Sequence, residues 1–85
     1  MKFKVVYTKR AVKDIGKLDK QIYKRIKESL ERYSQDPFTH ADFLNDSRIG
    51  SYRFRIGNYR VIFDIKEDQI IILRVGHRGR IYRNI

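Results

Sequence analysis

The sequence contains no cysteine and no tryptophan, and its only proline is Pro37. Without cysteine there is no disulfide framework and no Cys-based zinc or redox site. That fits a reducing cytoplasm, where the chain is expected to act. No apolar run is long enough to span a bilayer, and the opening MKFKVVYTKR lacks the apolar stretch of a signal peptide. No P-loop, GxGxxG or Ser-His-Asp pattern is present. No Asp/Glu/His cluster stands at metal-ligand spacing, so a two-metal nuclease is not expected, nor is any cofactor. Acidic residues are also scarce. Ten Asp and Glu face twenty Lys and Arg, for a net charge of +10 and a pI near 10.2.

That excess of positive charge points to a polyanionic partner: nucleic acid, an acidic protein or an anionic membrane. The bland alternative is a solvated basic surface. The kind of cation changes along the chain. Residues 1–48 hold eight Lys and four Arg, whereas residues 49–85 hold one Lys and seven Arg. Arginine's planar fork grips phosphate through two donors and stacks on bases, while lysine acts as a point charge. A specific phosphate site is therefore expected in the C-terminal half.

At 85 residues the chain is one small domain, 1–85, with no repeat, linker or low-complexity tract. Lys2 to Tyr7 reads as a strand. Thr8 is placed to cap a short helix carrying Val12, Ile15 and Leu18 and closing near Gly16. Asp19 is placed to cap a second helix, with Ile22, Ile26, Leu30 and Tyr33 as its buried stripe. Pro37 stops it, since the residue before proline avoids helical geometry. Residues 34–48 then read as a loop, with Phe38, Phe43 and Leu44 folded onto the core. His40 in that loop is expected to be exposed. Both helices are expected to cover a sheet; anchoring a membrane is the weaker reading of their basic, amphipathic character.

The rest is β. Gly50 to Ile56 alternates Tyr52, Phe54 and Ile56 with Arg53 and Arg55. Gly57-Asn58 is a two-residue hairpin turn. Tyr59 to Ile65 alternates Tyr59, Val61, Phe63 and Ile65 with Arg60, Ile62 and Asp64. Residues 66–69 turn the chain again, and Ile70 to Val75 is apolar enough for a central strand. The order is β-α-α-β-β-β, an α+β fold with helices on one face of a mainly antiparallel sheet.

A turn at 57–58 sets Arg55 opposite Arg60, with Arg53 two residues along on the same face. Like charges opposed across strands destabilise a sheet, and no acid within the hairpin stands opposite these arginines. Such a face suits a bridging phosphodiester; a merely solvated face is the alternative. The tail VGHRGRIYR adds His77, Arg78, Arg80, Tyr82 and Arg83. An even-length connection at 66–69 puts His77 on the face of Arg60, and an odd one flips it. His77 can both take and give a proton near neutral pH, which arginine cannot. These groups could cleave RNA without a metal. A base takes the proton of the 2′-hydroxyl, cations stabilise the charged phosphorane, and an acid protonates the leaving 5′-oxygen.

The run YRFRIGNYRVIF, followed by ILRVGHRGRIYR, resembles the RelE toxins of the RelE/ParE superfamily, and so does the element order. The resemblance implies a toxin of a toxin–antitoxin pair that cleaves mRNA in the ribosomal A site and is restrained by a cognate antitoxin, in a hetero-oligomer. It also implies roles for residues. Arg53, Arg55 and Arg60 bind phosphate and the transition state, and Arg78 lies beside the scissile phosphate. His77 is the acid or base, and Tyr82 either orients a base by stacking or shares the proton transfer, with the division of roles left open. Arg80 and Arg83 extend the RNA-binding surface. Relatives with lysine where this chain has Arg53 and Arg55 can be argued to use it as a base, a role arginine does not fill. Two alternatives stand beside this reading: a ParE-type toxin that inhibits DNA gyrase without a nuclease site, and a non-catalytic RNA-binding module.

Overall fold

The computed structural model describes residues 2–45 and 48–82. Strand β1 (Lys4–Tyr7) leads into helices α1 (Lys9–Gly16) and α2 (Lys20–Tyr33). A short helix α3 (Pro37–His40) and strand β2 (Ala41–Phe43) follow. Strands β3 (Tyr52–Ile56), β4 (Tyr59–Lys66) and β5 (Gln69–His77) complete the chain's sheet, ordered β1-β5-β4-β3-β2. β1 runs parallel to β5 and every other pairing is antiparallel.

The helix starts follow the sequence logic. The Thr8 side chain accepts the Ala11 N–H at 3.2 Å, and Asp19 accepts that of Ile22 at 2.9 Å. Both satisfy donors that a helix start leaves without partners. α1 ends at Gly16, as its sequence predicts. Its buried residues, however, are Ala11 and Asp14, while Val12 is 58% exposed. α2 contributes Ile26 and Leu30 to a core made with Phe54, Ile56, Val61, Phe63, Ile70, Ile72 and Val75. Both helices thus cover one face of the sheet.

The segment 34–48 holds more structure than expected. Pro37 opens α3 instead of only ending α2, because its fixed φ suits a first helical turn. Residues 41–43 then pair with the outer edge of β3. Phe38 and Phe43 stay largely exposed, at 55% and 77%. They meet the half-buried Tyr52 ring at 5.9 and 5.0 Å without entering the core. His40 is exposed, as expected, but stacks on Tyr33 at 4.3 Å.

The β3–β4 turn forms at Gly57-Asn58 with Gly57 at φ 58°, and the Arg25 guanidinium lies where a Cβ would sit. A side chain there meets both strain and collision. β4 and β5 join through a two-residue turn that pairs Lys66 with Gln69. Farther along, Phe63 pairs with Ile72 but Ile62 with Arg74, so Leu73 is an extra residue on β5. This bulge shifts all later pairing by one.

A buried carboxylate secures the end of β5 beyond its partner β1. Asp14 accepts the Val75 N–H at 3.0 Å and the Arg74 Nε–H at 2.8 Å. Side-chain capping of this sheet edge accounts for the acid buried in α1.

Candidate nucleic-acid interface

The hairpin fixes the centre of the site. Arg55 stands opposite Arg60 and Arg53 opposite Ile62, the register that the two-residue turn predicts. Arg78 joins them from the tail, where its backbone N–H donates to the Asn58 carbonyl at 2.8 Å. Burial, and repulsion from Arg53, Arg55 and Arg78, lower the pKa of Arg60, against a smaller opposing pull from Tyr82. The Arg60 guanidinium nevertheless stays charged at neutral pH. Arg60 is oriented through Nη1, which donates to the carbonyls of Gly57 and Tyr59 at 3.0 and 2.9 Å.

Tyr82 reaches the same face. Arg53 Nη1 donates to its hydroxyl at 3.1 Å, leaving the phenolic proton free to be donated elsewhere. This bond is the largest cause of the raised pKa of Arg53. The preceding residue, Ile81, is 4% exposed and packs over Gly76 of β5, which anchors the tail.

The arginines have a matched carboxylate after all. Asp42 of β2 pairs with Arg53 in register, and its Oδ2 lies 3.3 Å from Arg53 Nη2 and 2.9 Å from Arg55 Nε. The expectation of an unanswered cluster fails because the acid comes from a strand of three residues. So short an alternation carries almost no periodic signal in sequence.

His77 is placed differently from its expected register. The turn length is even, but the Leu73 bulge restores the other parity, so His77 pairs with Tyr59 and Gly76 with Arg60. The imidazole packs edge-on to Tyr59, 5.6 Å between centroids, on the helix side of the sheet. Its Nδ1 accepts the Gly79 N–H at 3.1 Å, so a neutral ring carries its proton on Nε2. His77 and Arg80 line a groove of about 250 Å³ with Lys17, Leu18, Tyr59 and Ile81. The structure therefore gathers Arg53, Arg55, Arg60, Arg78 and Tyr82, and sets His77 and Arg80 apart from them. Arg83 lies outside the described residues. Among the described residues no three His, Asp or Glu side chains converge as metal ligands, and no helix is long and apolar enough to cross a membrane.

Fold and site together define a small basic α+β protein that presents fixed guanidinium charge and one phenol on a sheet face. Residues 5–82 match the family described as ParE toxin of type II toxin-antitoxin system, parDE. The chain is 35% identical over 88 residues to Toxin RelE3 of Methanocaldococcus jannaschii, covering 93% of this chain and 94% of that one. It is 31% identical over 86 residues to Toxin RelG of Mycobacterium tuberculosis, with 98% and 99% covered. Among solved structures it resembles the toxin–antitoxin complex RelBE2 of M. tuberculosis at TM-score 0.82 and 28% identity, covering 92% of this chain and all of that one. The archaeal RelE–RelB complex of Pyrococcus horikoshii matches at TM-score 0.75 and 30% identity, over 94% and 99%. The chain belongs to the RelE/ParE superfamily, the toxins of type II toxin–antitoxin systems, as a RelE-type member.

Proposed function

We propose that this toxin stops translation by cutting mRNA in the ribosomal A site, without a metal. The observation that carries this reading is the convergence of Arg53, Arg55, Arg60 and Arg78 with the Tyr82 hydroxyl on one sheet face. Arg60 and Arg78 flank the scissile phosphate and stabilise the dianionic phosphorane as it forms. Arg55 holds an adjoining phosphate through its exposed Nη groups. Tyr82, the proton-carrying side chain bonded to this cluster, serves the leaving oxygen or the 2′-hydroxyl. His77 supplies the other proton transfer. Its ring packs on the opposite face, so it joins the reaction only if the 77–80 turn is remodelled on the ribosome. Arg80 and Arg83 then add backbone contacts. The ribosome is needed because four arginines supply charge but no strong base, so in-line alignment of the 2′-hydroxyl must come from the bound mRNA.

A cognate antitoxin is the second partner. RelE relatives are seen bound to RelB, and a +10 domain invites an acidic segment. The chain acts where its ribosomes are, in the cytoplasm.

Primer extension on a defined mRNA in a translating extract tests the reading, with wild type, Arg78→Ala, Tyr82→Phe and His77→Ala side by side. Cuts at ribosome-occupied codons that vanish with Arg78→Ala support it, and the last two variants divide the proton transfers. Intact mRNA overturns it. The family description names ParE, which favours gyrase as the second target. Gyrase-dependent DNA breaks after induction, with mRNA intact, would establish that alternative.

A further inference from the structure

Resting on that reading, we infer that Asp42 is a positioning residue: through Arg53 it holds the Tyr82 hydroxyl beside Arg60. The two arginines that touch Asp42 differ in what they have left to offer. Arg53 gives Nη2 to Asp42 and Nη1 to Tyr82, and its Nε is buried without a hydrogen-bond partner. Its side chain is only 26% exposed. Both Nη groups are thus tied to partners within the protein and Nε is buried, which makes this guanidinium a linker. Arg55 meets Asp42 through Nε alone and is 60% exposed, which leaves its Nη groups for RNA.

The linker has a physical task. Tyr82 lies beyond the last strand, where no ladder fixes it, and its described hydrogen bond is the one from Arg53. Arg53 in turn stands among like charges, and the Asp42 carboxylate opposes that repulsion. β2–β3 pairing sets Asp42 directly across from Arg53. An edge strand of three residues thus delivers one carboxylate to one guanidinium, which aims one phenol. The rival account is that Asp42 only mimics phosphate and must be displaced by RNA. The two accounts predict opposite signs.

The test compares Asp42→Ala, Asp42→Glu and Arg53→Lys with wild type on mRNA-programmed ribosomes, beside NMR of the free toxin with labelled tyrosine. Positioning predicts that Asp42→Ala lowers kcat roughly 10- to 100-fold, the scale of a misplaced catalytic group. KM stays level or falls, since a negative charge has left the RNA face. Asp42→Glu recovers much of the rate. Arg53→Lys, which cannot bridge both partners, moves the Tyr82 ring resonances as Asp42→Ala does. A variant in which cleavage and affinity rise together overturns positioning in favour of competition. Unmoved Tyr82 resonances overturn it as well. Should the wild type leave mRNA intact, the proposed function fails, while the Tyr82 resonances still decide the role of Asp42.

Discussion

The two faces of the sheet are written by alternate residues of the same strands, yet they meet opposite fates. On one face Phe54, Val61 and Phe63 are wholly buried beneath α1 and α2, with Phe54 and Phe63 stacked at 4.2 Å. On the other, Arg55 and Arg60 confront each other at the cost of mutual repulsion. The first face lowers the free energy of the fold; on the second, repulsion among arginines works against the ion pairs that Asp42 makes with Arg53 and Arg55. Coupling them through every Cα lets the apolar face hold the guanidiniums at a spacing that they would not adopt by themselves.

The contrast breaks most sharply in the core. Phe63→Ala should cost about 3–5 kcal/mol, a large share of the stability of a domain this size. Urea unfolding read by circular dichroism checks it, and toxicity should fall only as far as the folded fraction does. Arg60→Ala should do the reverse. Its stability should match or exceed that of the wild type, because repulsion from Arg53, Arg55 and Arg78 is relieved. Cleavage should drop roughly 10²–10³-fold, as when one donor to a transition-state oxyanion is removed. A loss of stability as large as that in Phe63→Ala would show that the arginine face is structural.

The smallest effect is expected at Tyr7, beside the helices. Burial, then Tyr23 and Glu31, raise its pKa above the ordinary 10.0. Above that pH the unfolded phenol loses its proton first, so unfolding gains as pH rises into the folded value. Tyr7→Phe should flatten this alkaline decline and leave stability at pH 7 unchanged within about 0.5 kcal/mol. Thermal melts across pH 9–11 would read it.

Much of this was legible in the residues, and the failures share a cause. Helix caps at Thr8 and Asp19, the turn at Gly57-Asn58 and the Arg55–Arg60 pairing were foreseeable, since each depends on neighbours in sequence. β2, Asp42 and the face of His77 were not. A three-residue edge strand exists only because β3 offers it an open side. The side on which His77 falls depends on a bulge at Leu73, and one inserted residue leaves no mark in an apolar run such as IIILRV. Strand register and the tail's composition singled out the candidate residues and the family resemblance gave them roles, but neither pointed to Asp42.

The parallel pairing of β1 with β5 governs when this molecule can exist. Residues 4–7 leave the ribosome well before their partners, residues 69–72. The Thr8 hydroxyl likewise waits to donate to the Ile72 carbonyl, 64 positions later in sequence. Closing the sheet therefore joins segments far apart in sequence, a contact of the kind that makes folding slow. A chain made only as far as β4 therefore lacks the strand that joins β1 to the rest of the sheet, and lacks Tyr82 as well.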